Sequence, residues 1–225
     1  MAAAAAVLIS GYLFIATLLV SVGLVLNRFL LSGPVGRADE GITSWLADHR
    51  SADLNRLTLV LSRSADTFSV VGAAIVIVTV LAIGRHWRPI VILVVALATE
   101  LACFLTVNAI VDRPRPHVAA LGSVPSTSSF PSGHTAATLV VYASLAIFVS
   151  LGTRSVVARV LATTAAVVMP LAVAFSRVYR GMHHPLDVVA GLVMGILVLA
   201  IVLAASAAAE AGVHPSRPGD PEGSS

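Results

Sequence analysis

Long apolar runs constrain this chain more than any other feature of its sequence. A helix needs roughly 20 apolar residues to cross a bilayer core about 30 Å thick, because backbone groups in lipid must be hydrogen-bonded within their own segment. The residues are 57% hydrophobic and only 11% charged, with a mean hydropathy of +0.95. A water-soluble domain of this length needs a far smaller fraction of apolar residues for its core. The sequence therefore predicts a protein embedded in lipid.

Six segments are long and apolar enough to span the membrane. The predicted fold class is all-α, a polytopic membrane protein with a six-transmembrane-helix bundle. Residues 1–208 form a single membrane domain, and a Pro-, Gly- and Ser-rich tail at 209–225 is predicted to be disordered. The predicted spans are 6–31, 67–84, 89–111, 134–151, 157–175 and 185–208.

An amphipathic segment separates the first two predicted spans. Apolar side chains recur there at near-helical spacing among charged residues: Trp45, Leu46, Leu54, Leu57 and Leu61. This pattern predicts an amphipathic helix at the membrane interface. Its apolar face is expected to pack against the mouth of the bundle, and a lipid-binding gate is the alternative.

The charge distribution excludes one class of function and orients the chain. A net charge of +3 is spread over arginines between apolar spans, so no basic face for nucleic acid is predicted. Cytoplasmic loops are enriched in basic residues. Arg85, Arg88, Arg154 and Arg159 occupy two connections on one side. The opposite loops also hold arginines, Arg113, Arg115, Arg177 and Arg180, and with these set aside as chemical we assign the first side to the cytoplasm. The predicted location is the cell membrane, and the oligomeric state is left open.

Three polar stretches emerge on the opposite side, at the ends of predicted spans. They cover residues 108–117, 130–135 and 176–187, and each contains Arg or His. By the alternation of spans they meet at one end of the bundle. Ionisable groups are costly near lipid, so their convergence predicts a functional site on the extracytoplasmic face.

These residue types suit a phosphate ester. Arg115 and Arg177 are the predicted phosphate clamps, because a guanidinium binds phosphate with two parallel hydrogen bonds and stays charged. Ser132 and Gly133 stand where a helix begins, so their backbone N–H groups are expected to face the same anion.

The histidines supply the predicted chemistry. His183 and Asp187 are four residues apart, so Asp187 is expected to accept a hydrogen bond from one ring nitrogen and leave the other free to attack phosphorus. His134 is the predicted acid for the departing oxygen and the base for water. This scheme needs no metal and no cofactor. Metal binding by His183 and His184 is the alternative.

The sequences Pro131-Ser132-Gly133-His134 and Ser176-Arg177-x5-His183-x3-Asp187 resemble the motifs of the phosphatidic acid phosphatase type 2 family. The resemblance implies a lipid phosphate substrate and the same roles for His183, Asp187 and His134. Asn108 falls where the family pattern has a lysine, seven residues before Arg115, and the resemblance places it among the phosphate binders. A polyprenyl diphosphate, phosphatidic acid or phosphatidylglycerol phosphate is the implied substrate.

Asn108 brings no charge, which motivates a second hypothesis: a scaffold that binds lipid phosphate but turns it over weakly. Arg63, with Asp66 nearby, is either a replacement for the missing charge or part of a surface ion pair. A vanadate-dependent haloperoxidase uses a similar pocket, but six lipid-embedded spans argue against it.

Other polar residues of these regions are given structural roles. Arg113, Asp112, Tyr179 and Arg180 are expected to support the site. Glu100 lies midway along the third span, and a protonated carboxyl hydrogen-bonded between helices is expected there. The segment 123–129 is expected to be mobile. The single cysteine, Cys103, allows no intrachain disulfide.

Overall fold

The computed structural model describes residues 2–211, which form eight helices and no strand. The first helix, α1, runs over Ala2–Val25 and continues through a π-helical turn at Leu26–Leu30. The remaining helices are α2 (Pro34–Asp48), α3 (Ala52–Ser64), α4 (Thr67–Ile83), α5 (Trp87–Ile110), α6 (Gly133–Gly152), α7 (Val156–Tyr179) and α8 (Pro185–Ala211).

The predicted all-α membrane bundle is confirmed. Five helices, α1, α5, α6, α7 and α8, are long and apolar enough to cross a membrane by themselves. Helix α4 has 17 residues and meets α3 at a bend of 55°, and together they make the sixth candidate span. Helix α8 extends to Ala211, so residues 209–211 are helical and not part of a disordered tail. The remainder of the predicted tail, 212–225, lies outside the described residues.

The interior of the bundle is a continuous apolar core. Its fully buried side chains come from α1, α5, α6 and α8, and include Ile15, Leu93, Val140 and Val198. Helices that pack in lipid gain from small residues that let backbones approach closely. Gly191 in α8 and Gly195 lie against the backbone of α6, at the carbonyl oxygens of Ser132 and Ala136 respectively. The first turn of α6 therefore lies against the second and third turns of α8.

The amphipathic segment differs from its prediction in two ways. It forms two helices, α2 and α3, which are separated at residues 49–51, where Ser51 caps α3 by accepting a hydrogen bond from the Leu54 N–H. The buried face of the pair is polar and includes Asp39, Thr43, Thr58 and Ser62.

The apolar face of these two helices points outward. Exposed side chains on this face are Val35, Ile42, Trp45, Leu57 and Val60. The expectation that the apolar face packs against the bundle mouth is therefore wrong for most of its residues. Only Leu46 contacts a buried apolar cluster, formed by Ala174, Val178 and Val188.

Polar contacts explain this orientation. The backbone carbonyl of Thr58 accepts a hydrogen bond of 2.7 Å from Ser176 Oγ, and Arg50 donates through Nε and Nη2 to the carbonyl of Tyr179. The Tyr179 hydroxyl donates in turn to Asn55 Oδ1 at 3.1 Å. Helix α3 and the break before it are therefore bound to the end of α7 by hydrogen bonds, which leaves the apolar side chains facing outward.

Close packing of α8 on α6 yields a prediction for Gly191→Ala. A methyl group at Gly191 would lie 2.4 Å from the Ser132 carbonyl oxygen, a backbone atom that cannot rotate away. We expect this substitution to lower the free energy of unfolding by about 1–3 kcal/mol, as overpacking does in cores. Gly72→Ala is the matched control, since nothing lies within 4 Å of its added methyl group. Thermal unfolding in detergent compares the two, and equal melting temperatures would contradict the prediction.

Candidate active site

A guanidinium bridging two carboxylates organises the polar end of the bundle. Arg113 donates through Nη1 to Asp187 Oδ1 and through Nη2 to Asp39 Oδ2, and all three side chains are almost fully buried. The second oxygen of Asp39 accepts the backbone N–H of Leu186 at 2.9 Å. The three residues connect α2, the α5–α6 loop and the first turn of α8. Arg113 has the structural contacts that were expected of it, whereas Asp39 had not been singled out.

Asp187 also contacts the residues that flank it. Its Oδ2 atom accepts the backbone N–H of His184 at 2.8 Å, and its backbone carbonyl accepts the N–H of Ser132 at 2.9 Å. The second bond joins α8 to Ser132, the residue just before α6, so the Ser132 N–H already has a hydrogen-bond partner. The expectation that this N–H binds phosphate is therefore not met. The N–H groups of Gly133, His134 and Thr135 have no partner within α6, because they belong to its first turn, and the first such bond runs from the Ala136 N–H to the Ser132 carbonyl.

His183, the predicted nucleophile, is buried and held by a backbone carbonyl. Its Nδ1 lies 2.7 Å from the carbonyl oxygen of Ser129 and 3.7 Å from Asp187 Oδ2. A carbonyl oxygen only accepts, so Nδ1 carries the hydrogen and Nε2 has a free lone pair. The tautomer is thus fixed by Ser129, where Asp187 had been expected to fix it. Burial lowers the pKa of His183, although Asp187 opposes that shift.

Two of the predicted phosphate clamps lie next to this histidine. The backbone N–H of His183 donates to the carbonyl of Arg177 at 3.3 Å. Arg115 donates through Nη1 to the carbonyl of Met182 at 2.7 Å, one residue before His183. The structure therefore brings Arg115, Arg177 and His183 together, although Arg115 is 62 or more residues away along the chain.

The charge of Arg177 is unpaired. Its side chain is 4% exposed, its Nη1 donates to the neutral Ser62 hydroxyl at 3.0 Å, and its buried Nε has no hydrogen-bond partner. No carboxylate oxygen among residues 2–211 lies within 4.0 Å of its guanidinium. A buried cation without an anion is costly. The arrangement therefore suits an anionic ligand.

Asn108 is hydrogen-bonded to the segment 123–129, which was expected to be mobile. The Asn108 Nδ2 donates to the carbonyl of Ser128 at 2.8 Å, and Arg115 donates to the carbonyls of Thr127 and Ser128 at 3.3 Å. Ser128 and Ser129 are buried. The end of the segment 123–129 is therefore hydrogen-bonded to Asn108 and Arg115, whereas the whole segment was expected to be mobile. Asn108 uses its amide for this contact.

His134 stands in the first turn of α6 and is partly exposed. Its Nε2 lies 3.4 Å from Asp66 Oδ1 at the start of α4. Asp66 had been considered as a partner of Arg63, but no ion pair joins those two residues within the part of the chain that the structure describes. The predicted acid therefore has a carboxylate beside one of its two ring nitrogens.

Another histidine at this end of the bundle, His184, is paired with a carboxylate, a contact that the sequence analysis did not predict. His184 Nε2 lies 2.8 Å from Glu40 Oε2 on α2, and its Nδ1 lies 3.4 Å from Asp187 Oδ2. Burial lowers the pKa of His184, but the contacts with Asp187 and Glu40 outweigh burial and hold that pKa above its ordinary value. No group of three or more metal-ligating side chains occurs among residues 2–211.

Comparison with solved structures defines the fold. The structure of a transmembrane PAP2-type phosphatidylglycerolphosphate phosphatase from Bacillus subtilis superposes with a TM-score of 0.74 at 22% identity, covering 93% of this chain and 98% of that one. LpxE from Aquifex aeolicus superposes with a TM-score of 0.57 at 20% identity, covering 74% and 95%. The chain thus has the fold of multi-span membrane phosphatases.

Sequence comparison gives the family. The model of the PAP2 superfamily matches residues 89–210, which is more than half of the chain. A search of curated proteins found no significant match. The chain belongs to the PAP2 superfamily and is a membrane phosphatase, as its motifs had predicted.

The bridging role of Arg113 generates a prediction for Arg113→Met. Removing the guanidinium leaves two buried carboxylates without a counter-charge, so we expect a loss of about 3–5 kcal/mol in the free energy of unfolding. Arg88→Met is the matched control: it breaks an exposed pair with Glu210, and we expect a loss of less than about 1 kcal/mol. Unfolding of both variants in detergent checks the contrast. Similar losses would show that the buried bridge has no special weight.

Proposed function

We propose that the protein hydrolyses a lipid phosphate or diphosphate through a phosphohistidine formed on His183. The observation that supports this most is the buried guanidinium of Arg177, which has no carboxylate within 4.0 Å among residues 2–211, on a residue bonded through its carbonyl to the backbone of His183, whose Nε2 has a free lone pair. A phosphate group would supply the missing negative charge and bring phosphorus to the nucleophile.

The first chemical step forms a bond between Nε2 of His183 and phosphorus as the bond to the leaving oxygen breaks. His134 gives its proton to that oxygen, so a monoester leaves as a neutral alcohol. The imidazole ring gains positive charge in this step. The Ser129 carbonyl and the nearby Asp187 carboxylate face its Nδ1–H and stabilise that charge.

The second step restores the enzyme. His134, now neutral, takes a proton from water, and the water oxygen attacks phosphorus and releases phosphate from Nε2. In both steps the equatorial oxygens carry negative charge. In this proposal Arg115, Arg177 and the N–H group of Gly133 at the start of α6 bind those oxygens, and such preorganised donors supply most of the catalysis in phosphoryl transfer. This scheme uses no metal ion.

The proposed substrates are a polyprenyl diphosphate, phosphatidic acid or phosphatidylglycerol phosphate. The likeness to a phosphatidylglycerolphosphate phosphatase supports a lipid of this type. The connections that contain Arg85, Arg88, Arg154 and Arg159 lie at the other end of the bundle from His183. By the positive-inside rule this supports a site on the extracytoplasmic face of the cell membrane.

The alternative is a membrane scaffold that binds lipid phosphate and turns it over weakly. Asn108 favours this alternative, because its amide is neutral and already donates to the Ser128 carbonyl. Arg115 and Arg177 still leave two positive charges for an anion, so we place the enzyme first. Lipid binding without phosphate release by the purified protein would support the scaffold.

Phosphate release from a panel of lipids tests the proposal. We expect purified protein to release phosphate from at least one of undecaprenyl diphosphate, phosphatidic acid and phosphatidylglycerol phosphate, with EDTA present. His183→Ala removes the nucleophile, and its rate should fall by at least about 10³-fold. His86→Ala, at the opposite end of the bundle, should retain the rate. Activity that survives in His183→Ala, or that EDTA abolishes, would refute this mechanism.

A comparison of leaving groups tests the role of His134. A lipid phosphate is a good leaving group and an alkoxide is a poor one, so protonation matters more for a monoester. We expect His134→Ala to slow hydrolysis of phosphatidic acid by about 10²-fold or more, and of undecaprenyl diphosphate by less. Single-turnover rates give the cleavage step alone. Equal losses for both lipids would mean that His134 is not the acid.

A further inference from the structure

A groove open to the bilayer begins at the site and runs down between α4, α5 and α6. Its volume is about 450 Å³, and it is lined by Gly133 and His134 at the site and by Glu100 lower down. The walls between them are mainly apolar. Val71, Ile75 and Leu101 line it and are each about half exposed, so the groove faces the region that lipid chains occupy.

Glu100 is the carboxylic acid in this groove, and it lacks a partner. Its side chain is 5% exposed, and neither oxygen makes a hydrogen bond or an ion pair with any residue from 2 to 211. The expected hydrogen bond between helices is therefore not made. An unpaired carboxylate within the hydrocarbon is far more costly than a neutral carboxyl, and even the neutral form is stabilised by a hydrogen-bond partner.

The depth of Glu100 fits one part of a lipid. It lies four residues before Phe104, about 6 Å along the helix axis at a rise of about 1.5 Å per residue. Phe104 packs at the start of α6, where a methyl group added to Gly133 would lie 3.0 Å from its ring. A lipid with its phosphate at the site would thus place its linkage region, just below the headgroup, near Glu100.

We propose that this groove holds the upper part of the substrate's hydrocarbon chain and that the neutral carboxyl of Glu100 donates a hydrogen bond to an ester carbonyl of the lipid. This assignment rests on the proposed function. The apolar walls accept the chain, and the unpaired carboxyl requires an acceptor at the depth where a glycerolipid has one. A polyprenyl diphosphate has only hydrocarbon below its phosphates. The groove therefore selects an ester-linked glycerolipid over a polyprenyl substrate.

Binding measurements on His183→Ala test this inference separately from catalysis. The probes are phosphatidic acid with ester-linked chains and its dialkyl ether analogue, which has the same headgroup and chain length but no carbonyl. In nanodiscs, Glu100→Leu should weaken binding of the ester lipid about threefold to tenfold, the loss expected for one hydrogen bond. Binding of the ether lipid should not change. Glu100→Gln keeps an N–H donor at the same place and should retain most of the ester preference.

Two controls protect this test against a general disturbance of the helices. Ser144→Ala removes another buried hydroxyl without a partner, on α6 and outside the lining of the groove, and should leave the ester preference intact. Glu100→Leu should unfold at the same or a higher temperature than the parent, because hydrocarbon replaces an unpaired carboxyl.

The outcomes separate the inference from the proposed function. An ester preference that is absent in the parent, or that persists unchanged in Glu100→Leu, would overturn the role of Glu100 whether or not the wild type hydrolyses lipids. Absence of hydrolysis by the wild type, with an ester preference that depends on Glu100, would overturn the proposed reaction and retain the groove.

Discussion

The buried bridge of Arg113 between Asp39 and Asp187 is the interaction on which the polar end of the molecule depends. It joins the helix before the second span, the loop after α5 and the first turn of α8, so three separate parts of the chain meet at one guanidinium. Asp187 also fixes two further residues. Its side chain accepts the backbone N–H of His184, and its backbone carbonyl accepts the N–H of Ser132. The positions of His183 and of the start of α6 follow from these contacts.

The arginines at this end divide into two kinds by their partners. Arg113 is neutralised by two carboxylates, which makes it part of the framework. Arg115 and Arg177 donate only to neutral oxygens, and neither has a carboxylate within 4.0 Å among residues 2–211. The charge of Arg113 is satisfied within the protein, whereas the other two arginines have no direct ion pair there. This difference in pairing supports the proposed division into one structural arginine and two that bind a ligand.

Much of this architecture could be predicted because the decisive signals are local. Apolar length gave the spans, and their alternation placed His134, Arg177 and His183 at one end. Asp39 and the Ser129 carbonyl could not be predicted, since they contact residues 74 and 54 positions away and their own surroundings carry no pattern. The orientation of α2 and α3 could not be predicted from the sequence either. Periodicity shows that a helix has two faces, but a membrane protein has apolar surroundings both inside and outside the bundle.

The outward apolar side chains of α2 and α3 have a consequence for geometry. These helices contact the outside of the molecule with Trp45, Leu57 and Val60, and they contact the catalytic end with Asp39 and Ser62. Hydrogen bonds and an ion pair join the buried side of the same two helices to Arg113 and Arg177. The level at which α2 and α3 lie in the leaflet is therefore coupled to the positions of these two arginines, so the thickness of the surrounding leaflet bears on the geometry of the polar end.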